Sequence, residues 1–125
     1  MEIHTYKDLI VWQKAMELVV VVYAVTEEFP KSELYGLTSQ MRRAAVSIPS
    51  NIAEGKRRGG KKEFCQFLLI AYGSGAELET QLEIVRQLPF GKSVNFAKAD
   101  DLLLQVMRML NRMISSLKSS SLSSS

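Results

Sequence analysis

Between Arg42 and Lys62 the chain carries seven cations, Arg42, Arg43, Lys56, Arg57, Arg58, Lys61 and Lys62, against a single acid, Glu54. Lysine and arginine gathered around a glycine-flexible turn can follow a phosphate backbone and release its counterions, and arginine adds a planar fork that grips phosphate. The competing reading is a solvated loop whose charges keep the protein soluble. No aromatic residue interrupts the run. Phe64 and Phe67 follow it, but their helical spacing assigns them to a core rather than to a base-stacking platform.

Other chemistries find less to work with. Gly55-Lys56-Arg57-Arg58-Gly59-Gly60-Lys61-Lys62 puts Gly55, Gly60 and Lys61 in register with a phosphate-binding P-loop. Lys62 stands where magnesium binding needs serine or threonine, and no strand precedes it, so nucleotide hydrolysis is not expected. The one histidine, His4, offers neither a zinc site nor a base for a nucleophilic serine. Cys65 near a helix start could be a stabilised thiolate, yet a lone helical cysteine is more often a small packed residue. Glu77, Glu79 and Glu83 form an acidic run without the Glu-x-x-His partners of a di-iron bundle. That run reads as an exposed face or as a partner for the basic cluster of a neighbouring subunit. No cofactor, metal or catalytic residue is expected, and the protein reads as a non-enzyme.

These residues need helices to carry them. The chain has 125 residues, 46% of them hydrophobic, with three prolines, one cysteine and a formal charge of +3. Length and apolar content point to one folded domain rather than a disordered chain, and a single cysteine excludes a disulfide framework. The start Met1–Asp8 lacks the pattern of a signal peptide, and the apolar run from Leu18 to Val25 is too short to span a membrane. A cytoplasmic protein is expected.

Apolar residues recur at three-four spacing in four segments, the mark of an all-α protein and of an up-down-up-down four-helix bundle. The first takes Leu9, Trp12, Met16, Val19, Tyr23 and Thr26 as its stripe, starts near Asp8 and stops at Pro30. Its apolar side chains point nearly all round, so more than one face should be covered. The second opens near Ser32 or Leu34 and carries Leu37, Met41, Ala44 or Ala45, Ile48 and Ile52. Pro49 removes a donor and predicts a kink, with Ser47, Ser50 and Asn51 serving freed carbonyls. Gly55 is its expected C-cap, followed by a connector over 56–60. The third runs from Lys61 to Gln87 through Phe64, Leu68, Ala71, Gly75, Leu78, Leu82 and Val85, with Gly73 and Gly75 suggesting close approach of a neighbour. After a loop over Pro89–Asn95 the fourth carries Phe96, Ala99, Leu103, Val106, Leu110, Met113 and Leu117, with Met107 and Met109 as further core. The bundle domain is set at 1–118, and the Ser-rich segment 119–125 is expected to be disordered.

Several of these segments are specific enough to suggest relatives. Leu9-Ile10-Val11-Trp12 with Ala15, Phe29-Pro30, Glu33-Leu34-Tyr35-Gly36-Leu37-Thr38, and above all the run from Gln40 to Gly55 resemble the four-helix bundle proteins encoded in intervening sequences of bacterial large-subunit ribosomal RNA genes. Phe64, Leu68, Ala71, Gly73-Ser74 and Glu77-Leu78-Glu79 extend the likeness. The resemblance covers Tyr6 to Leu88 well and the fourth helix loosely. It implies a four-helix bundle assembled as a ring-like homopentamer. It also implies kinship with the accessory variability proteins of diversity-generating retroelements, basic pentamers that bind nucleic acid and a reverse transcriptase. The expected function is a non-enzymatic, oligomeric nucleic-acid-binding protein, RNA first, using the seven cations above. The alternative is a protein–protein scaffold that recruits a nucleic-acid enzyme and has no specific nucleic-acid role of its own.

Overall fold

The computed structural model describes residues 5–123; His4 lies outside them. Four α-helices are present among the described residues: α1 (Ile10–Thr26), α2 (Ser39–Arg58), α3 (Lys61–Gln87) and α4 (Ala97–Ser123). The third has the bounds that its periodicity predicts. Short 3₁₀ turns precede α1 (Tyr6–Asp8), follow it (Lys31–Glu33) and join α3 to α4 (Pro89–Ser93). Asp8 does not cap α1. It closes a reciprocal capping box with Thr5 around the first 3₁₀ turn.

The helices alternate in direction, as side-chain pairs between neighbours show. Arg42 near the start of α2 donates to the hydroxyl of Thr26 at the end of α1, while Arg57 at the end of α2 lies over Tyr6 just before α1. Ser47 meets Ser74, and Gly55 abuts Phe67, so α2 and α3 run past each other in opposite senses. Lys61 reaches Ser120 at one end of the α3–α4 pair, and Arg86 pairs with Asp100 at the other. Each helix packs on its two neighbours in the cycle α1–α2–α3–α4–α1.

Burial confirms most of the expected core and moves one helix face. Met41, Ala44, Ala45, Ile48 and Ile52 of α2 are buried, as are Leu68, Ala71, Leu78, Leu82 and Val85 of α3 and Leu103, Val106 and Leu110 of α4. In α1 the buried stripe is Val11, Ala15, Leu18, Val22, Val25 and Thr26. Of the expected stripe only the two ends, Leu9 and Thr26, are buried, while Trp12 and Val19 are half-buried and Met16 and Tyr23 exposed. Both stripes have three-four spacing, so in a helix apolar all round only the neighbouring helices choose between them.

Three boundaries also differ from expectation. Helix α2 opens at Ser39 rather than near Ser32 or Leu34, because the wide π-type turn Leu34–Thr38 before it breaks at Gly36, whose backbone angles are not helical. Helix α2 continues past Gly55 to Arg58, and Gly59 is the C-cap, with the left-handed φ of 86° that favours glycine. Gly55 is buried inside the helix, where a β-carbon would lie 2.5 Å from Cβ of Phe67. The connector is thus only Gly59 and Gly60. At the other end of the chain α4 is helical to Ser123, across most of the segment expected to be disordered. Extending a formed helix closes one hydrogen bond per residue without a new nucleation cost, which outweighs the middling preference of serine.

Candidate nucleic-acid interface

Helices α2 and α3 meet at the two-glycine turn, and cations load both sides of it. Lys56, Arg57 and Arg58 fill the last turn of α2, where the carbonyl end of a helix favours positive charge. Lys61 and Lys62 open α3, where exposed amide groups already make the helix end positive and cations are unfavourable. No side chain caps that start, and Gly60 precedes it. The one acid of that first turn, Glu63, lies 3.9 Å from Arg58 and does not cap the helix, so the first amides remain open to an anion. Helix electrostatics account for the first three cations and not for the last two.

The cations differ in how far they are engaged. Arg58 is shared between Glu54 at 3.0 Å and Glu63 at 3.9 Å, and its guanidinium lies over Phe67. Lys56 lies over the Phe64 ring and Arg57 over Tyr6, each at 5.6 Å. Lys61 donates to the hydroxyl of Ser120 at 3.1 Å, and Lys62 is exposed. None of Lys56, Arg57, Lys61 and Lys62 forms an ion pair among the described residues. The antiparallel packing adds Lys7, in the turn before α1, and Lys118, near the end of α4, to the same end of the bundle. Reading the local charge run missed both. The alternation of helix direction, already expected from the sequence, was the signal that could have found them.

Arg42 and Arg43 belong elsewhere. The fourteen or so residues between them and Arg57 span about 21 Å of helix, so the expected single cluster is divided. Arg42 is structural: its Nε donates to Thr26 Oγ1 at 2.8 Å, its Nη2 pairs with Glu27 at 3.1 Å, and its guanidinium covers the Tyr23 ring at 4.5 Å. Arg43, one position on, is exposed. It leaves α2 on the outer side, in the same row as Ser50 and Arg57 at intervals of seven residues.

The remaining expected features are structural as well. Ser50 Oγ donates to the carbonyl of Val46, and Asn51 Nδ2 to the carbonyl and hydroxyl of Ser47. These are not the carbonyl of Ala45, the one that Pro49 cannot serve. Of the two glycines expected to allow close approach, Gly75 faces Met107 while Gly73 opens to empty space. Cys65 is a free, half-buried thiol. No group of three or more potential metal ligands occurs among the described residues, and Glu83 instead pairs with Arg86. The hydrogen bond that Arg86 donates to Asp100, with the negative charges of Asp100 and Glu83 beside it, raises the pKa of Arg86 above the ordinary arginine value. Among the described residues no helix is long and apolar enough to cross a membrane.

The sequence pattern of 23S rRNA-intervening sequence proteins matches residues 7–112, from the first turn to the middle of α4. The chain belongs to that family. A crystal structure of a protein of unknown function from the S23 ribosomal protein family of Bacteroides thetaiotaomicron has a similar fold, with a TM-score of 0.72. The two sequences are 19% identical, and the match covers 84% of this chain and 98% of that one. Comparison with curated proteins finds no significant match. In this intervening-sequence protein the matched region contains the whole α2–α3 turn and its cations, while Lys118 lies beyond it.

Proposed function

We propose that this intervening-sequence protein binds nucleic acid, RNA in the first place, through the basic end of its bundle, and that its role is binding rather than catalysis. The observation that carries the reading is the start of α3, uncapped and opened by Lys61 and Lys62. Placing cations there works against the fold, whereas a phosphate would satisfy both the open amides and the ammonium groups. Lys56, Arg57, Lys7 and Lys118 extend the same surface to neighbouring phosphates.

Several copies engaging one polymer would turn individually weak contacts into avidity. The outer side of α1 supports self-association: Met16, Val20 and Tyr23 follow one another at four- and three-residue spacing and are all exposed, Val20 by 67%. Such an apolar row on a helix surface is typical of a contact with another chain. The family resemblance points to five copies.

The test is RNA binding by fluorescence anisotropy between about 50 and 200 mM salt. The variant K56Q/R57Q/K61Q/K62Q should bind all sequences more weakly. Its plot of log affinity against log salt should flatten by about 0.7–0.9 per lost phosphate contact. Unchanged affinity and slope would overturn the reading, and a salt-insensitive protein partner would favour a scaffold instead.

A further inference from the structure

We propose that a second surface, the groove between the end of α1 and the start of α2, holds an unstacked nucleobase of a single strand whose backbone runs along the outside of α2. The inference rests on the nucleic-acid reading above and adds a ligand class and a subsite to it. The groove encloses about 590 Å³, within the range of small-ligand sites. Arg42 lines it, with its guanidinium over the Tyr23 ring at 4.5 Å and bonded to Thr26 and Glu27, and the exposed side chains of Leu34 and Val46 add apolar wall. Its rim carries Tyr35, which is 94% exposed and makes no ring contact among the described residues. Thr38 and Ser39 add hydroxyls.

A guanidinium and a free tyrosine ring are both side chains on which extruded bases stack. Charge points the same way. Arg43 lines the groove and forms no ion pair among the described residues, and no carboxylate is among the lining residues. Arg43, Ser50 and Arg57 are all exposed and occupy one row on α2 at intervals of seven residues, so the row spans about 21 Å. It joins the groove to the basic end. A strand held by its phosphates at Arg57 and Arg43 would deliver a base to Tyr35. A duplex keeps its bases stacked and cannot.

The experiment compares a fluorescein-labelled oligouridylate dodecamer with a blunt RNA duplex of equal length, by anisotropy, for wild-type protein and the variants Y35A, Y35F and R43Q. Stacking of one base predicts that Y35A binds the dodecamer roughly five- to 150-fold more weakly. Y35F should retain wild-type affinity, and the duplex should be indifferent to either change. The salt slope should persist in Y35A and fall by about 0.7 in R43Q. Equal dodecamer affinity for Y35A and wild type overturns the inference. So does loss of self-association in Y35A by light scattering, which would assign the groove to a second copy of the chain. If wild-type protein binds neither probe, the broader reading fails with it. If it binds both and only the Tyr35 effect is missing, the subsite alone fails.

Discussion

Two interior glycines predict opposite results for the same substitution. Gly55 in α2 and Gly73 in α3 both sit inside helices, where alanine is favoured by about 1 kcal/mol. At Gly73 an added β-carbon meets nothing within 4 Å, so Gly73→Ala should keep the gain, about 0.5–1 kcal/mol. At Gly55 the β-carbon lands 2.5 Å from Cβ of Phe67 and 3.2 Å from Cδ1 of Phe64. The Phe67 atom is bonded directly to the α3 backbone and cannot rotate away. Restoring a carbon–carbon contact of about 3.5 Å means parting the helices by about 1 Å, and overpacking of this kind costs about 1–3 kcal/mol. The helix preference is common to both variants. Their difference in unfolding free energy therefore isolates the steric cost, and Gly73→Ala should be the more stable by about 1–3 kcal/mol. Urea unfolding followed by far-UV circular dichroism measures it, with equal m-values as the check that the denatured states match. Equal stability of the two variants would refute the close approach of α2 and α3 at Gly55. That approach brings the last turn of α2 against the first of α3, so Gly55→Ala should also weaken RNA binding while Gly73→Ala leaves it alone.

Three further predictions use other features. Arg42→Ala should lose about 1–3 kcal/mol by chemical denaturation, since it forfeits a part-buried hydrogen bond, an ion pair and a stacked ring together; Arg43→Ala should stay within about 0.5 kcal/mol of wild type. Lys61→Gln with Lys62→Gln should raise stability at low salt by up to about 1 kcal/mol, by relieving cations at a helix start, while RNA affinity falls. A parallel loss of stability and affinity would contradict the electrostatic account. Val20→Lys should leave helix content unchanged and lower the mass seen by light scattering, because it places a charge in the exposed apolar row of α1; an unchanged mass would remove that row from the subunit contact.

The fold was largely legible because three of the four helices are legible locally. Helix α2 and helix α4 have one apolar and one polar face, and α3 carries its core residues at regular spacing, so their buried sides follow from sequence. Gly55 misled as a helix end because glycine marks both caps and close contacts. Only the position of Phe67 tells which. The candidate site was half legible. Lys56 to Lys62 are close in sequence and stay close in space, but Arg42 is consumed by Thr26, Glu27 and Tyr23.

Class and relatives were already readable from the residues: four helices, a glycine turn loaded with cations, and a family pattern over most of the chain. Local periodicity and charge are properties of neighbouring residues, so they survive without knowing where the chain goes next. Tertiary packing settles which side of α1 is buried and which arginine is free. Each of those depends on what an adjacent helix places opposite the residue, and a helix apolar all round or a long flexible cation has no local preference that could have settled it.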